Sequence, residues 1–424
     1  MGHSPRRVDA RSEEKVVETV LSARRSGSRL RAAGSGGSKS AVSTPPDVAL
    51  RLEQPDRLVS VEGDRVTAPA GMTGGRLQEL LAPEGLVLPT VGEWKNATLA
   101  GALATGTHGG SARWGIMATS VESFRIVNGR GEAVEVSRGE PDHAHLAVSL
   151  GAFGVVTRVS LACVERFSLR LDTDVVPFEE YLRDPVAQES RTEFHASIWV
   201  PWARKVIRFA AQRAPDPGPS TPRRERFGRR TELATLVVRR LGLPGAVSSR
   251  FFQHTAVGDS AEILSPLEVP GKVARFRAWA NEIRGNSAAE LAVDAGRAAE
   301  ILTRFDAFFR ERSGPLNNPI GLRMSAADAF SLSPCSGRDT LWLDIFYDDA
   351  EPFTRALADL GEEVGARCHW GKALALRPRH LRGQYPGWDA YAEARRRFDP
   401  DEVFANGFTD ELGLTGEPHG TSRG

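Results

Sequence analysis

Residues 89–132 read PTVGEWKNATLAGALATGTHGGSARWGIMATSVESFRIVNGRGE, and this stretch decides how the rest of the chain is understood. Asn96 or Thr98 can cap a short helix over LAGALAT, whose small residues allow close backbone approach to something bulky. Gly101, Gly106, Gly109 and Gly110 then permit positive φ or van der Waals contact. A helix N-terminus beside a glycine-rich turn makes a concave set of N–H donors suited to a diphosphate. Upstream, LRAAGSGGSKS (30–40) offers a second such turn. It is not a nucleotide-triphosphate loop, because Ala33 and Ser38 stand where Lys39-Ser40 would need glycines. Nor is it a dinucleotide fingerprint: Gly34 and Gly36 are followed by Lys39 at the third glycine position, and Pro45-Pro46 stop any helix. Taken alone, the turn reads equally well as flexible surface loop.

The 424-residue chain is 41% apolar and 26% charged, proportions of an ordinary soluble protein with two or three domains. A net charge of +1 gives no reason to expect a nucleic acid or a membrane surface as partner. Cys163, Cys335 and Cys368 are far apart and odd in number, which argues against a disulfide framework and for a reducing compartment. No apolar run reaches the ~18 residues of a membrane span, and no apolar stretch follows the N-terminal arginines. The expectation is a cytoplasmic protein.

Val16, Val17, Val20 and Leu21 recur at helical spacing behind Ser12, so the chain is expected to open with a helix. RLVSVEGDRVTAPA reads as two short strands around a Gly-Asp turn, and GGRLQELLAPEG as a helix. Beyond about residue 172 the strands lengthen (EFHASIWVPWA, KVIRFAAQ, TLWLDIFYDD) and alternate with the amphipathic helices AAEILTRFDAFFRER and PFTRALADLGEEVGA. RAPDPGPSTPRRERFGRR reads as a long solvated loop.

Five ordered blocks now carry a resemblance: RAAGSGGS (31–38), GALATGTHGG…GIMATSVESFRIVNGRGE (101–132), SLGAFGVVTRVSL (149–161), CHWGK (368–372) and RFDPDEVFANGF (397–408). Their order resembles that of the vanillyl-alcohol-oxidase-type (PCMH-type) FAD flavoproteins, and within them the alditol oxidases and the gulonolactone and arabinonolactone oxidases. The resemblance implies an α+β fold: an FAD domain split between 1–165 and 373–424, with a substrate domain on an antiparallel sheet at 166–372. By the same resemblance Ala33, Gly34, Ser35, Gly36, Gly37 and Ser38 wrap the FAD pyrophosphate. Gly92, Thr98, Gly101, Thr105, Gly106, Thr107, His108 and Gly109 line the diphosphate and flavin, and Gly151, Gly154 and Val156 lie by the adenosine half. Phe404 to Phe408, with Asn406, closes over the flavin.

The implied chemistry is hydride transfer from a CH–OH carbon of a small-molecule substrate to the flavin, with O₂ or another acceptor taking the electrons afterwards. Lys372 is implied to face flavin and substrate and to stabilise developing negative charge, while Arg323 holds a hydroxyl, carbonyl or carboxylate. His369 and Cys368 lack further ligands at metal spacing, so no metal is expected. Three positions depart from the pattern. Gly37 stands where a histidine is often bonded to the flavin, so FAD is expected to be non-covalent. Gly110 replaces a serine that meets substrate, and Gly321 a carboxylate beside Arg323. Two glycines in these places are expected to widen the cavity, leaving His369 or a held water to take the hydroxyl proton. The leading reading is an oxidase or dehydrogenase of a sugar, polyol or sugar lactone. A larger glycoside or nucleoside substrate, and a redox-silent binding protein of the same fold, are the alternatives.

Overall fold

The computed structural model describes residues 4–53, 57–92, 94–201, 204–214, 262–264, 287–312, 320–347, 351–373 and 376–416. The loop expected at 213–230 lies outside the described residues apart from its first two.

The chain opens with a strand rather than the expected helix. β1 (Arg6–Ala10) and β2 (Leu30–Ala32) pair in parallel with either side of β3 (Val48–Leu52). Helix α1 (Glu13–Ser26) follows β1, its N-terminus capped by the Ser12 side chain and its C-terminus closed by Gly27 at φ +66°. Val16, Val20 and Ala23 pack this helix onto Leu30, Leu50 and Phe404.

Next come β4 (Ser60–Glu62), β5 (Arg65–Pro69), helix α2 (Gly74–Leu81), β6 (Leu86–Val87) and helix α3 (Leu99–Ala104). β7 (Val121–Asn128), β8 (Ala133–Ser137), β9 (Gly154–Ala162) and β10 (Val164–Glu165) complete the first part. β4, β5, β9, β7 and β8 form a five-stranded antiparallel sheet in that order, and β10 pairs with β6.

From here the strands belong to one eight-stranded antiparallel sheet. Its members are β11 (Ser168–Pro177), β12 (Phe194–Val200), β13 (Lys205–Ala214), β14 (Glu262–Leu264), β15 (Ser287–Asp294), β16 (Ile320–Ser325), β17 (Thr340–Tyr347) and β18 (Arg367–Cys368). Their spatial order is β14-β11-β13-β12-β16-β17-β15-β18. The helices Ala298–Arg312 and Glu351–Glu363 fall where the apolar spacing places them. After β18 the chain returns through helices Pro378–Gln384, Trp388–Phe398 and Gly407–Glu411 to the first part, where Leu30 N–H donates to Val403 O at 2.6 Å.

A buried polar knot ties β12 to the one-turn helix Pro185–Glu189. Tyr181 Oη donates to Glu189 Oε1 at 2.8 Å and Ser197 Oγ donates to the same oxygen, while Oε2 has no hydrogen-bond partner among the described residues. Burial pushes the Glu189 carboxyl up to about 7, against the pull of the two hydroxyls. With the folded value above the ordinary one, this group's stabilisation is complete below about pH 4.5 and is lost as pH rises through 7. Glu189→Gln keeps the shape without the charge. It is expected to match the parent near pH 4.5 and to exceed its melting temperature at pH 8; a variant that melts lower at pH 8 would contradict this reading.

Candidate active site

The loop that leaves β2 is anchored at both ends and open in the middle. Ala33 N–H donates to Leu50 O at 2.8 Å and Lys39 N–H to Gly371 O at 2.7 Å. Between them, the amides of Gly34, Ser35, Gly36, Gly37 and Ser38 make no hydrogen bond among the described residues, and Gly36 turns the chain at φ +74°. All five residues line one side of a cavity of about 330 Å³. A run of unengaged amides beside Lys39 and Arg51 suits the diphosphate of FAD.

The N-terminus of α3 does not add to this cradle as expected. Thr98 caps it, but Leu99 N–H donates to Met72 O at 2.8 Å, Ala100 N–H to Ala70 O at 2.9 Å and Gly101 N–H to Thr98 Oγ1 at 3.3 Å. Thr98 pairs with Thr73, so the start of α3 is stitched to neighbouring backbone and has no amide left for an anion.

Ala33, Gly92, Thr98, Gly101, Thr105, Thr107 and His108 line the same cavity, as do Gly151, Gly154 and Val156 on another wall. Gly106, Gly109 and Asn406 do not. Gly106 packs by Pro334 and Gly109 by Val91. The Asn406 side chain, 1% exposed, caps its own helix and donates to Ala41, Val42 and Thr44 carbonyls. Phe404 to Phe408 therefore braces the opening loop from behind instead of closing over the cavity.

Arg31 is the bolt of this brace. Its guanidinium, fully buried, donates to the carbonyls of Val42, Leu150, Gly151 and Phe404 at 2.5–2.9 Å. Burial lowers its pKa to about 10.

At the far end of the cavity one face of β15, β17 and β16 carries the charges. In register, Gly321 lies opposite Asp344 and Asp344 opposite Glu290; the next row is Arg323, Trp342 and Ala292. Arg323 Nη2 stands 3.6 Å from Glu290 Oε1 and 3.4 Å from Asp344 Oδ2. Lys372 Nζ stands 3.7 Å from Glu290 Oε2 and 3.4 Å from Asp344 Oδ2. The four groups form a ring of alternating charge, with Asp344 wholly buried and Lys372 the most accessible. Arg323, Lys372, Glu290, His108 and His369 all line the cavity.

His108 stacks flat on Trp342, ring centroids 3.7 Å apart, with Nδ1 at 2.8 Å from Gly109 O and Nε2 at 3.2 Å from Glu290 Oε1. Burial opposes ionisation of Glu290, but Lys372, His108 and Arg323 together hold its carboxyl well below the usual range. His369 Nδ1 accepts the Gly371 N–H at 3.0 Å, so the neutral ring carries its proton at Nε2. Burial pushes its pKa down to about 3. His369 is thus a hydrogen-bond donor at the cavity, which corrects the expectation that it takes the substrate proton.

His108, Glu290 and His369 have ligand atoms within 4.8 Å of one another. Arg323 and Lys372, both beside Glu290, make the place hostile to a cation.

Gly110 does not widen the cavity. A Cβ there would fall 2.2 Å from His195 O, and Gly110 O accepts the His195 N–H at 2.9 Å. The glycine lets the 108–114 loop lie against β12 at His195, while the next residue, Ser111, donates its N–H to Met324 O on β16. Gly37 is likewise hemmed in: a Cβ on it would fall 1.7 Å from Trp94, a half-exposed ring that also lines the cavity. Arg31, Trp94, Glu290 and Asp344 are the residues that sequence reasoning missed. For the last two a signal existed: each is an acid flanked on both sides by apolar residues in the middle of a strand, AAELAV and LWLDIF.

Comparison with known proteins fits this geometry. The family described as D-arabinono-1,4-lactone oxidase matches residues 159–412, and the FAD binding domain matches residues 5–137. The chain is 29% identical over 422 residues to the L-gulono-1,4-lactone dehydrogenase of Mycobacterium tuberculosis, covering 94% of this chain and 93% of that one. It is 23% identical over 418 residues to the L-gulonolactone oxidase of Bos taurus, covering 95% and 93%. It is 27% identical over 398 residues to the alditol oxidase of a Streptomyces species, covering 90% and 89%. Among solved structures, a solvent-stable cholesterol oxidase matches with a TM-score of 0.74 at 18% identity over 96% of this chain and 94% of that one, a likeness of fold alone. No helix among the described residues is long and apolar enough to cross a membrane. An FAD cradle opening onto a buried ring of charge, matched over most of its length, places the chain in the D-arabinono-1,4-lactone oxidase family of FAD-dependent oxidoreductases.

Proposed function

We propose that this enzyme oxidises a CH–OH group of a neutral sugar lactone, L-gulono- or D-arabinono-1,4-lactone being the first compounds to try. The observation that carries this reading is the charged ring of Arg323, Lys372, Glu290 and Asp344 at one end of the cavity whose other wall is the glycine loop. Arg323, Lys372 and the Nε2–H of His369 offer donors to a ligand, and the carbonyl and ring oxygens of a lactone only accept. Bound FAD supplies the two-electron oxidant, taking hydride from the substrate carbon. Lys372 and Arg323 fix the oxygens of the substrate, and the Trp342–His108 stack fixes the wall behind them. On this reading the FAD-binding domain is divided between 1–165 and 373–424, and 166–372 supplies the substrate wall. O₂ or another acceptor would take the electrons afterwards. A cytoplasmic setting accords with three separate free cysteines.

A single-turnover experiment tests this reading. The purified yellow protein, mixed with each lactone without oxygen, is expected to yield one dehydro product per FAD. Absence of product with every lactone would refute it.

We further infer that the FAD is held without a covalent bond. Gly37 has no nucleophile, and Trp94 fills the space a side chain there would need. Acid precipitation is expected to leave the yellow colour in the supernatant; colour in the pellet would overturn the inference. Gly37→His is expected to weaken FAD binding rather than tether it, because the imidazole has to displace Trp94.

A further inference from the structure

We propose that Glu290 is the catalytic carboxylate of this enzyme, the group that binds the reacting hydroxyl of the substrate and takes its proton. This rests on the lactone reading above and assigns a role within it. Residue 321, beside Arg323 on β16, is a glycine and contributes no acid. Across the sheet, however, the same row continues through Asp344 on β17 to Glu290 on β15. The row therefore carries carboxylates one and two strands along from Gly321.

Of the two acids, only Glu290 reaches the cavity; among the described residues it is the one carboxylate that lines it. Asp344 sits behind, holding both cations at 3.4 Å. Glu290 itself is gripped loosely. Its contacts with Arg323 and Lys372, at 3.6 and 3.7 Å, exceed hydrogen-bond length, so they fix the carboxylate by charge and leave lone pairs for a hydroxyl. His108, locked against Trp342, sets the position of Oε1 from the other side. The other candidate acceptor, His369, is engaged at Nδ1 and keeps its proton at Nε2, on a ring that lines the cavity.

The step balances simply. The C–H bond breaks with its electron pair, which leaves as hydride to the FAD oxidant. The O–H bond gives its proton to Glu290, and its electrons become the second bond of the product carbonyl. Glu290 is a weak base in this setting, and that is sufficient. As hydride leaves, the hydroxyl becomes that of a protonated carbonyl, far more acidic than a carboxylic acid. A catalytic carboxylate of this kind has no titration near neutrality, so the parent's rate of anaerobic flavin reduction is expected to be flat between about pH 5.5 and 8.

The test compares parent, Glu290→Gln and Asp344→Asn holoenzymes with L-gulono-1,4-lactone, D-arabinono-1,4-lactone and their monodeoxy counterparts. Glu290→Gln is expected to slow flavin reduction by roughly 100- to 10,000-fold, the usual worth of a positioned base. Asp344→Asn, which removes the same charge from behind the cavity wall, is expected to slow it far less. Binding supplies an independent readout: the parent is expected to bind the reactive lactone more tightly than the analogue lacking the reacting hydroxyl, and Glu290→Gln to lose most of that preference. Equal reduction rates in parent and Glu290→Gln, or equal losses in both variants, would overturn the proposal. Where Glu290→Gln fails to retain FAD, the parent decides: a drop in reduction rate on acidification with a midpoint between about pH 6 and 8 would assign the proton to a histidine instead. A parent protein that no lactone reduces would refute the lactone reading, not this role.

Discussion

Arg31→Met is expected to strip the protein of its FAD and to remove roughly 3–5 kcal/mol of stability, since each buried carbonyl left without a donor costs about 1–3 kcal/mol. The guanidinium joins four carbonyls from three remote segments: Val42 after the opening loop, Leu150 and Gly151 on the opposite cavity wall, and Phe404 in the returning chain. No aliphatic side chain replaces those bonds, and a lysine with one ammonium cannot fork to all of them. The glycine loop would lose its backing together with the bond from Leu30 N–H to Val403 O. Denaturant titration and FAD titration of the variant measure the two losses separately. A variant with parental stability and parental FAD affinity would show that the clasp is redundant.

Lys372→Ala is the second large effect. Removal of the ammonium proposed to hold the substrate oxygens at the cavity is expected to slow anaerobic flavin reduction by roughly 100-fold or more. Lys372 is bound to its place by geometry: Lys372 N–H donates to His369 O at 3.0 Å, and Ala373 N–H to Ala288 O at 2.9 Å, continuing the edge of the sheet. Its ammonium also lies beside Glu290 and Asp344, so the alanine variant removes one of the cations that face these two carboxylates. A shift of FAD affinity is therefore expected to be small beside the loss in rate. Parental reduction rates in Lys372→Ala would return this lysine to a purely structural role.

Much of the cavity was legible because its chemistry is local. LRAAGSGGSKS and CHWGK each carry their meaning within a few residues, and the structure joins them directly through Lys39 N–H to Gly371 O and Ser40 Oγ to Trp370 O at 2.5 Å. What was not legible depends on register. Gly321 looks like a missing acid until β17 and β15 are laid beside it, and no spacing along one strand reveals that row. Gly110 looks like open space until the His195 carbonyl is seen to occupy it. The amides of α3 look available until Met72 and Ala70 take them. β1 escaped because RRVDA has only Val8 and Ala10 to bury and owes its strand form to β3. The long helices and strands past residue 172 announced themselves by apolar spacing alone, since both kinds bury a continuous face.

The most direct test of the account is an anaerobic titration of the purified protein, followed at the visible flavin band, with the two 1,4-lactones beside xylitol and sorbitol. The account predicts saturable bleaching by a lactone, faster by roughly 10-fold or more than with either polyol, because a site of converging donors favours the ligand whose acceptors fit it. Bleaching by the polyols with none by any lactone would contradict it.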